Sequence, residues 1–144
     1  MKDKNKAELI DIIKNATDEK ILRKAKMYLY HLLEQESDDR LQQCLKDSKE
    51  EFEIKYADFI LWRRHLDKNF DNLMDVLLKS TDTDKAREAA IIMGEEGYSE
   101  AVEPLIKILI ESDNLFIRDG AALALRDLKD SRAIKPLIER IRKN

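Results

Sequence analysis

Four carboxylate–base pairs recur along this 144-residue chain, each separated by five residues: Asp18 with Arg23, Glu50 with Lys55, Asp82 with Arg87 and Asp113 with Arg118. An acid and a base held side by side can pass a proton to a reacting group. An active site needs to exist only once, however, and this pair returns in every segment. A repeated pair is what a scaffold requires, and the eight residues are expected to form a structural ladder. His31 and His65, with Glu34 or Asp67 near them, would make a minimal metal set, but they lack the i, i+4 spacing that places two histidines on one helix face. A surface or core-edge role is expected, and no metal. Cys44 is the only cysteine, so neither an internal disulfide nor thiolate zinc geometry is available. It shares a register with Ile12, Val76 and Ile108 and is expected to be buried as a small hydrophobe. No Gly-rich phosphate loop is present, since Gly94 to Gly97 reads as a helix end, and the serines lack a matching His/Asp register. The sequence therefore predicts no catalytic residue, no cofactor and no enzymatic role.

The elements that must carry these residues follow from a repeat. Leu9, Leu41, Leu73, Leu105 and Leu137 are each 32 residues apart. Each opens a segment with apolar residues at i and i+4, and usually at i+3, which is one face of a helix. The marker base follows 14 residues later in three repeats and 13 later in the fourth, and two residues beyond it stands Ala25, Ala57, Ala89 or Gly120. A small residue at that point lets the second helix approach its neighbours closely. Segments rich in Asn, Asp, Ser and Thr separate the helices, because these side chains cap helix N-termini. Ser48 to Glu51 reads as a capping box. Nine helices are predicted, over 7–14, 18–35, 39–46, 50–66, 70–79, 84–96, 100–111, 114–128 and 132–143. They form repeats over 7–36, 38–67, 69–98 and 100–129, with a closing helix in 131–144, all in one domain. One hairpin cannot bury its own apolar face, and stacking supplies the core. The closing helix is expected to turn a polar face outward: Arg132, Lys135, Glu139, Arg142 and Lys143.

Composition agrees with an all-α chain. Charged residues make up 40%, while Gly (3) and Pro (2) are too few to punctuate hairpins or βα loops. Lys+Arg (27) nearly balance Asp+Glu (30), which speaks against nucleic acid as a partner. Residues 69–100 are acidic, with eight acids against three bases, and interrupt any basic track. The first six residues carry charge without a signal-peptide apolar run, and no membrane-length apolar stretch follows. A cytoplasmic protein without a membrane segment is expected.

Residues 86–144 resemble the HEAT-like repeats named after phycobilisome lyases. The resemblance rests on Arg87-Glu88-Ala89-Ala90, Gly94, Ala101 to Ile106, Arg118 to Leu123 and Asp130 to Ile138. Over 1–85 it rests on the spacing alone, since no Pro precedes Leu9, Leu41 or Leu73. It implies an α-solenoid of antiparallel helix pairs, a HEAT/armadillo-like superhelix, with first helices on the convex side and second helices on the concave side. It also implies that the recurring acid–base pairs cross-link successive turns. Lys55 departs from that pattern, because an ammonium lacks the guanidinium fork.

Concave solenoid surfaces are where such proteins bind. Past each marker base the second helices carry Tyr30 and His31, Trp62 and Arg63, Gly94 and Glu95, and Leu125 and Arg126. If Ala25, Leu29 and Leu32 face the core, then Met27, Tyr30, His31 and Glu34 face out, with Phe59, Trp62 and Arg63 as the matching row. Tyr, Trp and Arg are enriched at binding hot spots. The segment Tyr56 to Trp62 is apolar nearly all round, so at least one of its aromatics must be core, and Trp62 is open to either placement. The leading expectation is a non-enzymatic, monomeric protein-interaction module binding a protein partner through Tyr30, His31, Phe59, Trp62, Arg63, Glu95 and Arg126. A narrower form is a small immunity or inhibitor protein that neutralises a toxin or enzyme. The alternatives are a nucleic-acid-binding or DNA-repair HEAT-like protein, and an accessory to bilin-lyase-type cofactor attachment.

Overall fold

The computed structural model describes residues 4–143, without the side chain of Lys143, so that part of the predicted polar face lies outside the described residues. Nine α-helices stand among them: α1 (Lys6–Asn15), α2 (Glu19–Glu34), α3 (Asp38–Asp47), α4 (Glu51–His65), α5 (Phe70–Lys79), α6 (Thr83–Glu95), α7 (Val102–Glu111), α8 (Leu115–Leu128) and α9 (Ile134–Lys143). Short 3-10 turns, Ser99–Ala101 and Ser131–Ala133, lead into α7 and α9. Every predicted helix is found with ends shifted by no more than two residues. No strand occurs among the described residues. The fold is an all-α helical repeat of the solenoid class.

The punctuation read from sequence sets these boundaries. Asn5, Asp18, Ser37, Asn69, Asp82 and Asn114 each accept a backbone N–H of the following first turn. Each such cap contributes about 1 kcal/mol relative to alanine. The capping box at Ser48 does not form. Ser48 ends α3, its Oγ accepts the Glu50 N–H at 3.1 Å, and Glu50 takes the N-cap position of α4 without a side-chain cap bond. Helix α6 ends in the paired bonds of a Schellman motif, Gly97 N–H to Gly94 O and Tyr98 N–H to Met93 O, with Gly97 at φ +75.

The chain forms two compact units, Met1–Leu66 and Asp67–Asn144. In the first, α1 pairs with α2 and α3 with α4, and α2 packs on α4. Its core is Leu9, Ile13, Ala25, Leu29, Leu33, Leu41, Cys44, Ala57, Ile60 and Leu61. Leu33, rather than Leu32, completes the inward stripe of α2. The stripe Ala25, Leu29, Leu33 runs i, i+4, i+8, and Leu32 lies at its edge, half-buried.

In the second unit α5 pairs with α6 and α7 with α8, and the most extensive packing is α6 on α8. That approach depends on absent side chains. A Cβ at Gly94 would lie 2.7 Å from Ala124 Cα, and one at Gly120 would lie 3.0 Å from Arg87 O. The leading leucines Leu73 and Leu105 are fully buried, as are Leu9 and Leu41 in the first unit, whereas Leu137 on α9 is only half-buried. Arg132, Lys135, Glu139 and Arg142 are exposed as predicted for a closing helix. Ile134, Ile138 and Ile141 are exposed beside them, so the outward face of α9 is mixed rather than polar.

Candidate interaction surface and the buried polar cluster

The marker pairs are redistributed in the structure. Asp18 and Asp82 spend their carboxylates on capping their own helices. Glu50 instead takes the Lys14 ammonium at 3.0 Å, tying the last turn of α1 to the start of α4. Asp113 is exposed and leaves the cap to Asn114. Arg23 pairs within its own helix with Glu19, at 3.3 Å, while Lys55 is exposed on α4 and Arg118 half-buried on α8. A second tie between successive repeats is carried by Arg87, whose Nη2 donates to Asp119 Oδ2 at 2.8 Å, 32 residues on. The geometry explains the change. A side chain at the N-cap and one five residues later are separated by well over a quarter turn around the helix, unlike i, i+4 neighbours.

The predicted second-helix row of the first unit comes together. Tyr30 on α2 meets Phe59 on α4 with centroids 6.4 Å apart, and Phe59 meets Trp62 at 5.5 Å. Tyr56, read from sequence only as part of the apolar segment, joins edge-on to Tyr30 at 5.8 Å and an interplanar angle of 83°. Tyr30 and Tyr56 pack on the core, and all four rings are half-buried, which places Trp62 between the two readings open to it. Arg63 is half-buried, and Met27 and His31 are exposed on α2. Glu95 and Arg126 belong to the second unit, each exposed in the last turn of its helix, with Arg126 Nε 3.5 Å from Asp127 Oδ1.

The histidines do not share a site. His31 Nδ1 faces Glu34 Oε2 at 3.3 Å. His65 Nε2 lies 2.6 Å from Asp38 Oδ2, while Arg64 donates to Asp38 Oδ1 at 2.9 Å and to Glu34 O at 2.6 Å. This clasp joins the ends of α2, α3 and α4. The hydrogen bonds from Arg64 and then His65 hold the Asp38 carboxyl below the usual carboxylate range. Among the described residues no group of three or more His, Cys, Asp or Glu is arranged to hold a metal ion.

A buried polar cluster was not anticipated. Glu53 on α4 is only 4% exposed. Its Oε1 accepts the Cys44 thiol at 2.8 Å and lies 2.6 Å from Lys6 Nζ. Burial opposes the charge on Glu53, yet the bonds from Cys44 and Lys6 outweigh it and bring the carboxyl below its usual range. Burial, reinforced by the neighbouring carboxylate, pushes the Cys44 thiol up to about 12. A thiol in that state is a poor nucleophile, because the thiolate is the reactive form. A cavity of about 430 Å³ opens beside the cluster, and Arg40, Gln43, Asp47 and Ser48 also line it.

Residues 70–144 match the family model for HEAT repeats. The chain belongs to the HEAT-repeat family. No curated protein and no solved structure matches it. As a HEAT-repeat protein it places its recurring small residues where the family's hairpins need close contact: Ala25, Ala57 and Ala89 are fully buried, and Gly120 is buried against Arg87. No helix among the described residues is long and apolar enough to cross a membrane. The signal for Glu53 was present but masked. It heads the stripe Glu53, Ala57, Ile60, Leu61, which is the core face of the fourth HEAT helix. Because α4 is apolar on several faces, the stripe did not stand out from the sequence.

Proposed function

We propose that this HEAT-repeat protein is a non-enzymatic, cytoplasmic, monomeric interaction module that holds a protein partner on the α2–α4 face of its first unit. HEAT repeats commonly serve as protein-interaction scaffolds. The observation that carries this placement is the run of half-buried rings Tyr30, Phe59 and Trp62, bordered by exposed Met27 and His31 and by Arg63. Large aromatic side chains with one edge anchored and one edge open supply contact area at low entropic cost, and such residues dominate interface energetics. Glu95 and Arg126 hold the corresponding register on the second helices of the second unit. The non-enzymatic reading draws support from how the reactive groups are used: three of the four marker carboxylates, Asp18, Glu50 and Asp82, cap or tie helices, and the one thiol is held protonated.

The test is affinity capture from the source cells with the full chain as bait, followed by identification of what binds. Trp62→Ala should weaken the specific partner by about 2 kcal/mol or more, the cost of losing a hot-spot residue. The doubly charged variant Met27→Glu/His31→Glu alters only exposed positions, and it should abolish capture while leaving the helical circular-dichroism spectrum unchanged. If the same partner binds that variant as tightly as the parent, the surface lies elsewhere.

A further inference from the structure

A cavity of about 340 Å³ lies in the second unit between α7, α8 and α9, within the roughly 300–1,000 Å³ of small-molecule sites. Its apolar lining runs from buried to open. Leu109 of α7 is buried, Leu137 of α9 is half-buried, and Leu115 and Ile141 are 65% and 74% exposed. Two half-buried arginines line the same cavity, Arg118 of α8 and Arg140 of α9.

The charges here do not cancel. Among the described residues Asp119 is the only carboxylate on the lining, and Arg87 already donates to its Oδ2 at 2.8 Å. The acids nearest in sequence to the two arginines, Asp113 and Glu139, are exposed and do not line the cavity. Arg140 is left incomplete: its Nε–H is shut off from solvent and meets no acceptor among the described residues. A buried guanidinium N–H without an acceptor costs free energy, because water no longer serves it. Arg118 brings a second positive charge to the same space, where reduced solvent screening raises the gain from an anion.

The combination selects a ligand class. A carboxylate is planar and meets the guanidinium fork through two parallel hydrogen bonds. An inorganic anion would serve the arginines and leave the leucine and isoleucine side chains wet, and a neutral hydrocarbon would do the reverse. We propose that this cavity binds a small aliphatic carboxylate, its head group held by Arg140 and Arg118 and its chain covering Leu109, Leu115, Leu137 and Ile141. Removing the open parts of Leu115 and Ile141 from water supplies the hydrophobic share of the affinity. The site belongs to the second unit and does not depend on the role given to the α2–α4 face.

The experiment titrates the full chain, with labelled isoleucine and leucine methyls, against hexanoate and, in parallel, against hexanol, hexylamine and inorganic phosphate. Hexanoate is expected to shift the methyls of Leu115, Leu137 and Ile141 saturably. It should bind at least about tenfold more tightly than the other three, the ratio that one charge-assisted hydrogen bond supplies. Arg140→Gln should weaken hexanoate by a similar factor. Leu115→Asp changes an exposed position, so the fold is kept, and it sets a negative charge at the mouth of the cavity. It too should weaken hexanoate at least about tenfold, and it decides the matter if Arg140→Gln fails to fold. Trp62→Ala should bind hexanoate as the parent does. Hexanol or phosphate binding as tightly as hexanoate, unchanged affinity in Leu115→Asp, or loss of binding in Trp62→Ala would each overturn the proposal.

Discussion

At the scale of single residues, the Cys44–Glu53–Lys6 cluster sets how stability responds to pH. The Cys44 thiol is raised in the folded chain to about 12, against about 8.5 in an unfolded one. A raised group contributes stability that is complete below its unfolded pKa and is lost as pH climbs toward the folded one. Stability should therefore fall above roughly pH 8.5, with a limiting slope of about 1.4 kcal/mol per pH unit for one group. Lys6 is also raised, because its bond to Glu53 outweighs the burial that opposes its charge, but its loss starts only above about pH 10.4. Denaturant unfolding of Cys44→Ala between pH 8.5 and 10 should be flatter than that of the parent. Equal slopes would mean that the thiol titrates alike in both states. On the acid side Glu53 is lowered, so its contribution is present above about pH 4.3 and declines as pH falls below that value.

At the scale of elements, helix positions were legible because each is announced by a cap residue and a leading leucine. The register inside the helices was less so. The choice between Leu32 and Leu33 turns on one residue of phase, and the N-cap duties of Asp18 and Asp82 depend on where the first turn starts. The glycines were legible in one case only. Gly120 follows the marker base and was expected to allow close packing, whereas Gly94 was read as part of a helix end and proves to lie directly against the α8 backbone at Ala124. Replacing it tests that contact. Gly94→Ala gains about 1 kcal/mol in helix propensity. The new methyl meets Ala124 Cα at 2.7 Å and Ala124 O at 2.9 Å, so the helices must separate, and overpacking of this kind costs about 1–3 kcal/mol. A net loss in urea midpoint is expected. The clash is with backbone, so adding Ala124→Gly should not restore it. Recovery in the double variant would show that the contact is set by side chains.

At the scale of the whole molecule, the 32-residue period and the all-helical fold were readable, while the division into two units was not. The period passes unbroken from Leu41 to Leu73, and the Asp67 to Asn69 connection has the same composition as the other loops. The aromatic row could be assembled from register, since Tyr30, Phe59 and Trp62 lie on adjacent second helices. The buried cluster could not, because its three members come from α1, α3 and α4, and only tertiary packing joins them. Local stability should follow packing density. Amide hydrogen exchange of the full chain should be slowest in the second unit along α6 and α8, and faster along α9, whose Ile134, Ile138 and Ile141 are exposed. Protection of α9 equal to that of α8 would contradict this order.

The buried, hydrogen-bonded state of Cys44 also has a practical side. A chain whose one thiol is buried, donates to a carboxylate and stays protonated at neutral pH should react only slowly with thiol reagents in its native form. A new cysteine placed at an exposed position such as His31 or Leu78 could then be coupled to a fluorophore or spin label at neutral pH without first removing the natural one. The α2–α4 face would in this way carry its own reporter.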